Sequence, residues 1–480
     1  MTVAAPSPRS SAQSRKHRTL GPSSLGFDRL AGAASEARCD SIWNPMTLPR
    51  LFLASAGRLL GLALRGLRPG APDPSGRRWT AWARIPVIVA FVPLFALVQL
   101  IHWIGFLLDE ILFPGYRKVE IKEPLFVLGV PRSGTTHLHR VLAQDRRLTT
   151  FNTWECLFAL SVTERRFWMG LGRLDALVGC PLGRLLAWAE RRAFGAMAEV
   201  HSVGLSDPEE DYFSLMPVLA CFILILPFPT DPFLWRMGTF DRDMPAPERE
   251  RLMDFYRSCL KRHLYVHGPG KRLLSKNAAF APLAGTLRET FPDARFLVCL
   301  REPARTLPSQ LSSVEPGVRL FGVLAVAPDF RDRLARQLGF YYENLASALG
   351  DLPEERCAWV SMKDLKSDLT GSVTTAYRRL GLPLDEDFRG RLVAAAALAG
   401  PYRSSHHYNL DQFGLEPERI DRDLGAVYRS LAARSVLAPR PAVTQSAAET
   451  RTSIGACPAE NSQPEATTGS PSSKEAALPC

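Results

Sequence analysis

One stretch limits what this chain can fold into: Pro124-Leu-Phe-Val-Leu-Gly-Val-Pro-Arg-Ser-Gly-Thr-Thr136, followed by His137-Leu-His-Arg-Val-Leu-Ala-Gln144. Leu125–Val130 reads as a buried strand, the Gly/Pro/Ser run as a tight loop, and Thr135–Gln144 as the helix it opens. A loop of this kind aims backbone N–H groups and the positive end of a helix dipole at one point, which makes an anion site. The spacing Gly129-x4-Gly134 imitates a nucleotide-triphosphate loop, but Thr135 stands where that loop needs lysine. The basic residue lies inside the loop instead, at Arg132. Such a loop suits a 5′-linked phosphate that bears a second anionic group. Further along, Leu273–Ser275, Phe296–Leu300 and Ala358–Met362 read as strands, and Leu283–Phe291 and Val373–Leu380 as helices. This alternation predicts an α/β fold: a parallel sheet like that of P-loop NTPases, flanked by helices on both faces.

Pro131-Arg-Ser-Gly-Thr-Thr136 resembles the 5′-phosphosulfate loop of the sulfotransferases, particularly the large, mainly bacterial family that carries this hexapeptide. A second stretch supports the resemblance: Phe291-Pro-Asp-Ala-Arg-Phe-Leu-Val-Cys-Leu-Arg-Glu-Pro303, then Ser309. Asp207-Pro-Glu-Glu-Asp211, Ser275-Lys-Asn277 and Tyr408-Asn-Leu-Asp-Gln-Phe-Gly-Leu415 add to it, so that it covers roughly residues 105–430. The resemblance implies 3′-phosphoadenosine 5′-phosphosulfate as sulfuryl donor, with Arg301 and Ser309 on its 3′-phosphate. One departure is Ala278, which stands where a proline often follows the Lys-Asn pair.

Sulfuryl transfer needs a cradle for the donor, positive charge where the leaving phosphate develops, and a base for the acceptor hydroxyl. Positioning and electrostatics should dominate, as in phosphoryl transfer. Backbone N–H groups of Ser133, Gly134, Thr135 and Thr136, with the two threonine hydroxyls, are expected to hold the phosphosulfate. Arg132 is expected to neutralise the leaving oxygen. Arg301, just past a strand's carboxyl end, suits bidentate phosphate binding, with Ser309 adding a hydroxyl. Lys276 follows another strand at the same sheet edge; it is either a cation facing the sulfuryl group or half of a structural ion pair. Glu210 is the first candidate for the base and His201 the second. The competing account of the acidic segment is a plain helix start, with Ser206 or Asp207 as N-cap and Pro208 at the first helical position. Leu215–Pro229 reads as a buried helix or the lining of an acceptor pocket.

Ahead of this core, Ile85–Leu108 holds 24 residues without Asp, Glu, Lys or Arg, long enough for a bilayer's hydrocarbon core. Pro93, Gln99 and His102 count against a plain span. Leu51–Leu67 is apolar but interrupted by Arg58 and Arg65, as in an interfacial amphipathic helix. Arg68, Arg77, Arg78 and Arg84 precede the apolar stretch and Asp109 and Glu110 follow it, which by charge alone would export the enzyme domain. A bacterial-type enzyme draws its donor from the cytosol, and Arg117, Lys118 and Lys122 restore positive charge beyond the helix. A re-entrant or monotopic anchor, with the catalytic domain in the cytoplasm, reconciles these facts. A single span with the domain on the far side is the alternative. The expected organisation is a Ser/Ala/Arg-rich tail at 1–40, membrane-associating helices at 41–115, a sulfotransferase domain at 116–436 and a second tail at 437–480.

Fifty of the 59 basic residues are arginine and the net charge is +11. The charge is spread out and carries no zinc, helix-turn-helix or aromatic-basic pattern, which argues against a nucleic-acid partner. No two of the nine cysteines form a CxxC pair and no Asn-x-Ser/Thr site occurs, so neither a metal nor an oxidising compartment is expected. The expected function is a membrane-associated sulfotransferase acting on a hydroxyl or amine of a small-molecule, lipid or carbohydrate acceptor. A nucleotide kinase or NTPase is disfavoured by Thr135, and by Arg301 where a magnesium-binding Asp would end the strand. A non-enzymatic membrane scaffold with a degenerate nucleotide fold is the second rival.

Overall fold

Five short apolar runs pair as one parallel sheet in the order β2-β3-β1-β4-β5 in the computed structural model, which describes residues 47–70, 82–195, 204–399 and 413–438. The strands are β1 (Leu125–Gly129), β2 (Leu148–Thr149), β3 (Arg272–Lys276), β4 (Arg295–Leu300) and β5 (Cys357–Ser361). The principal helices are α1 (Thr47–Gly66), α2 (Arg84–Leu112), α3 (Thr135–Leu142), α4 (Thr153–Phe158), α5 (Val162–Leu177), α6 (Pro181–Gly195), α7 (Ala246–His267), α8 (Ala284–Thr290), α9 (Pro303–Leu320), α10 (Phe330–Leu349) and α11 (Leu369–Arg379). Residues 1–49 form one unit and 50–480 another; of the first, only the opening residues 47–49 of α1 are described.

The sheet is buried on both faces, as parallel sheets require. β1 is wholly buried and alternates between two cores. Leu125 and Val127 face Leu138, Val141 and Leu142 of α3 and Val373, Ala376 and Tyr377 of α11. Phe126 points the other way, with its ring 5.8 Å from that of Phe296 and 5.3 Å from that of Phe291. Val127 pairs with Lys276 on one side and Leu297 on the other, so the carboxyl ends of β3, β1 and β4 form one edge. Ligands of open α/β sheets gather at such an edge.

α1 and α2 are long and apolar enough to cross a membrane. α2 runs unbroken through Pro93, and both its ends and its middle bond to later parts of the chain. Near its start Arg84 donates to the carbonyls of Pro227 (3.1 Å) and Phe321 (3.3 Å). Midway, His102 Nδ1 lies 2.7 Å from Glu164. Near its end Asp109, fully buried, accepts from the N–H groups of Val162 and Thr163 at the start of α5 and from Arg262 Nε at 2.8 Å. Gly105 permits the close approach: a Cβ there would stand 2.3 Å from Ser161 Oγ. The opposite face carries Leu94, Leu97, Ile101, Ile104, Leu108 and Ile111, each 37–76% exposed and spaced three or four apart. In α1, the two arginines that interrupt the apolar run both reach Asp231, at 3.0 Å each.

Two of the alternative local readings resolve against a helix. Residues 211–225 form short 3-10 turns (Asp211–Val218 and Phe222–Ile225) rather than one helix, and Pro217 inside the first has no N–H to donate. Asp207 and Pro208 do not begin a helix: Pro208 bridges Asn152 in antiparallel fashion, and Glu210 precedes the first 3-10 turn.

Candidate active site

The loop between β1 and α3 is built to bring backbone against backbone. At Gly129 (φ +153°) a Cβ would come 2.4 Å from the carbonyl oxygen of Cys299 on β4. At Gly134 (φ +94°) it would come 2.6 Å from Met362 Sδ. Arg132 itself has φ +67°, a left-handed conformation that costs a non-glycine residue about 1–2 kcal/mol. Strain of this kind persists only where surrounding bonds impose it. Ser133 closes the turn, donating its N–H (3.3 Å) and its hydroxyl (2.6 Å) to Val130 O. The first N–H groups of α3 have no acceptor within the helix, and no side chain caps that end.

The bonds on Arg132 come from the second motif. Arg301, the residue after β4, donates Nη1 to Arg132 O at 2.9 Å across 169 positions of sequence. Arg132 in turn donates Nε to Ser309 Oγ at 3.1 Å, and Ser309 is wholly buried on α9. Tyr342 of α10 fixes the start of this segment by donating to Arg301 O at 2.6 Å. The structure therefore brings Arg132, Ser133, Gly134, Thr135, Thr136, Arg301 and Ser309 to one end of the sheet.

Lys276 ends β3 at the same edge. It is buried, donates to Thr136 Oγ1 at 3.0 Å and pairs with Glu210. The acidic segment is sorted by its neighbours. Asp207 meets Arg140 at 3.1 Å and Glu209 accepts the N–H of Glu210 at 2.9 Å. Asp211 is buried beneath, accepting from Tyr256 (2.5 Å), Ser275 (3.0 Å) and Asn277. Burial pushes the Asp211 carboxyl up and these hydrogen bonds pull it part-way back, to about 6. Burial likewise raises Glu209. Only Glu210 is joined through Lys276 to the helix start at Thr136.

A model of the sulfotransferase family matches residues 124–199 and 234–386, which include the loop, Lys276, Arg301 and Ser309. Over those stretches the chain is similar to the sulfotransferase family. Its relatives include the omega-hydroxy-beta-dihydromenaquinone-9 sulfotransferases Stf3 of Mycobacterium bovis and Mycobacterium tuberculosis. Each is 26% identical over 310 residues, 62% of this chain and 74% of theirs. Two crystal structures share the fold. STF1 from Mycobacterium tuberculosis H37Rv has a TM-score of 0.51 at 18% identity, covering 83% of this chain and 98% of its own. STF9 from Mycobacterium avium has 0.57 at 19% identity, covering 79% and 95%. Glu210 lies between the two matched stretches of the family model.

Other residues were not legible in the sequence or fall outside the described residues. His201, His406, His407 and Tyr408 fall outside the described residues. Glu155, His263 and His267 were not singled out, yet their ligand atoms lie within 4.8 Å of one another. Such a trio could hold a cation, but Arg165 Nε already bonds Glu155 Oε1 at 3.0 Å, and this fully buried guanidinium repels a second positive charge. Burial alone would raise the Glu155 carboxyl; Arg165, His263 and His267 together hold it well below the usual range. Only the helical spacing of His263 and His267 hinted at the cluster; Glu155 is more than a hundred residues away.

Proposed function

We propose that this sulfotransferase takes its sulfuryl group from 3′-phosphoadenosine 5′-phosphosulfate and passes it to the hydroxyl of a lipidic alcohol. One observation carries the donor assignment: Arg301 and Ser309 converge on Arg132, so one ligand could span loop and second motif. The residues present fit that ligand. The glycines at 129 and 134 keep the loop close to its neighbours, the uncapped start of α3 supplies N–H donors to the phosphosulfate, and a guanidinium and a buried hydroxyl serve the 3′-phosphate. When bound, the donor supplies an activated sulfur whose bond to the bridging oxygen breaks as the acceptor oxygen bonds to sulfur.

The chain's own residues manage charge and protons. Glu210 removes the acceptor's proton, Lys276 and Arg132 neutralise the oxygen that takes the electron pair, and adenosine 3′,5′-bisphosphate leaves. No step draws on a metal. The lipidic acceptor rests on two supports: the relatives named for a hydroxylated dihydromenaquinone, and apolar helices α1 and α2 joined to the catalytic domain. Because the donor is cytosolic in bacteria, we place the domain on the cytoplasmic side of the membrane.

The test is transfer of radiolabelled sulfuryl from the donor to a panel of long-chain alcohols and sugars, without magnesium. Wild type is expected to sulfate a long-chain alcohol and release adenosine 3′,5′-bisphosphate in equal amount, and Arg132→Ala to abolish both. Magnesium-dependent hydrolysis of ATP with no use of the sulfated donor would overturn the reading.

A further inference from the structure

The hairpin of α5 and α6 has an outer face that the catalytic chemistry does not use. On it, Phe167, Leu174 and Leu177 of α5 and Leu182, Leu185 and Trp188 of α6 are exposed, with Leu177 82% open to solvent. Several large apolar side chains exposed on one helix pair mark an interaction surface. Its charge is one-sided. From Arg166 to Trp188 the exposed ionisable side chains are Arg166, Arg173 and Arg184. The one acid in that stretch, Asp175, is buried, because its carboxylate accepts the N–H groups of Leu182 and Gly183 at 2.8 Å and so caps α6. Between residues 166 and 188 the fold buries the one acid and leaves the arginines outside.

The face is also fixed in orientation. α5 packs on α2, where Glu164 meets His102 and Asp109 caps the first turn of α5. Apolar residues of α2 and of the hairpin thus belong to one assembly. α2 cannot cross a bilayer while Arg84 and Asp109, about 37 Å apart along the helix, both bond to the catalytic domain. Against a bilayer its exposed stripe would therefore lie side-on.

We propose that the α5–α6 hairpin, together with the outer stripe of α2, is an in-plane docking surface for an anionic lipid bilayer. Apolar side chains enter the acyl boundary, tryptophans sit at headgroup depth, and Arg173 and Arg184 meet lipid phosphates. A second copy of this chain is a poorer occupant. A two-fold interface through this face would set arginines against one another with no exposed acid between 166 and 188 to answer them. The surface adjoins the acidic segment: Trp168 donates to Phe158 O at 3.0 Å at the end of α4, and Thr153 at its start donates to Asp207 O. Docking would hold Glu210 near the layer from which a lipid alcohol is drawn, a consequence that rests on the transferase reading; the docking itself does not.

The experiment is co-sedimentation of the full chain with vesicles of phosphatidylcholine alone or mixed equally with phosphatidylglycerol. Adenosine 3′,5′-bisphosphate affinity is measured in parallel. Wild type is expected to partition at least ~10-fold more strongly onto the anionic vesicles, and Arg173→Glu with Arg184→Glu to remove that preference. Leu177→Asp with Leu185→Asp, both at exposed positions, is expected to weaken partitioning onto either vesicle. Nucleotide affinity should be unchanged in all of these. Equal partitioning of wild type and charge-reversed chain overturns the docking proposal, as does a lipid-free dimer abolished by Leu177→Asp. Loss of nucleotide binding in wild type would instead overturn the donor assignment and leave the docking result standing.

Discussion

Replacing Asp109 by alanine tests whether α2 is part of the catalytic domain's fold. Asp109 is fully buried and Arg262 is 1% exposed, so the pair is shielded from solvent. Removing one partner of such a pair costs about 3–5 kcal/mol, since the other charge is left in a poor dielectric. Here Glu110 still reaches Arg262 Nη2 at 3.0 Å, which returns part of that. Against this, Val162 and Thr163 lose the acceptor for their N–H groups, worth ~1 kcal/mol as a helix cap. The net expectation is about 3–4 kcal/mol, read as a lower urea midpoint at unchanged slope for the full chain in mild detergent. Adding Arg262→Met should recover part of the loss, because the stranded guanidinium goes with it. A cost below ~1 kcal/mol with no recovery would refute the reasoning, since no buried pair would then tie α2 to α7.

Three further outcomes are expected. Glu210→Gln should lower kcat by ~10²–10⁴ while leaving donor affinity within a few-fold; equal loss in a binding assay would move the residue from proton transfer to ligand binding. Gly134→Ala should weaken adenosine 3′,5′-bisphosphate binding through the contact with Met362 Sδ at 2.6 Å, and adding Met362→Ala should restore only part, because φ +94° remains unfavourable for alanine. For Asp211, the folded carboxyl lies at about 6 against 3.8 for the ordinary group, so the native state binds the proton more tightly. Its contribution is full below about pH 4 and is lost as pH rises through 6, a change of about 3 kcal/mol. The stability of wild type relative to Asp211→Asn should therefore fall over that window, and a flat difference in urea titrations would contradict it.

What the sequence disclosed depended on how local the information was. The β1–α3 loop was legible because strand, glycines and helix lie within about twenty consecutive residues, whereas Arg301 with Ser309 came from the resemblance to the sulfotransferases, helped by the place of Arg301 at a strand's carboxyl end. The bonds between the two motifs were expected only as shared proximity to a ligand; that Arg301 grips the carbonyl of Arg132 is a fact of packing. The helix-start account of the acidic segment rested on residue types alone: Asp-Pro-Glu-Glu fits it, whereas tertiary pairing with Asn152 draws Pro208 into a bridge instead. Gln99 and His102 had argued against a plain span, and both lie on the buried face of α2. Their neighbour Asp109 could not be paired with Arg262 by inspection, since 153 positions separate them.

The central claim is that two distant motifs hold opposite ends of one nucleotide, and calorimetry on two ligands tests it. Adenosine 3′,5′-bisphosphate and adenosine 5′-monophosphate should be titrated into wild type and Arg301→Ala, without magnesium. Loss of a charge-assisted contact to the 3′-phosphate predicts that Arg301→Ala weakens the bisphosphate by ~10–100-fold and the monophosphate by only a few-fold. Equal weakening of both ligands, or none of either, would contradict the account.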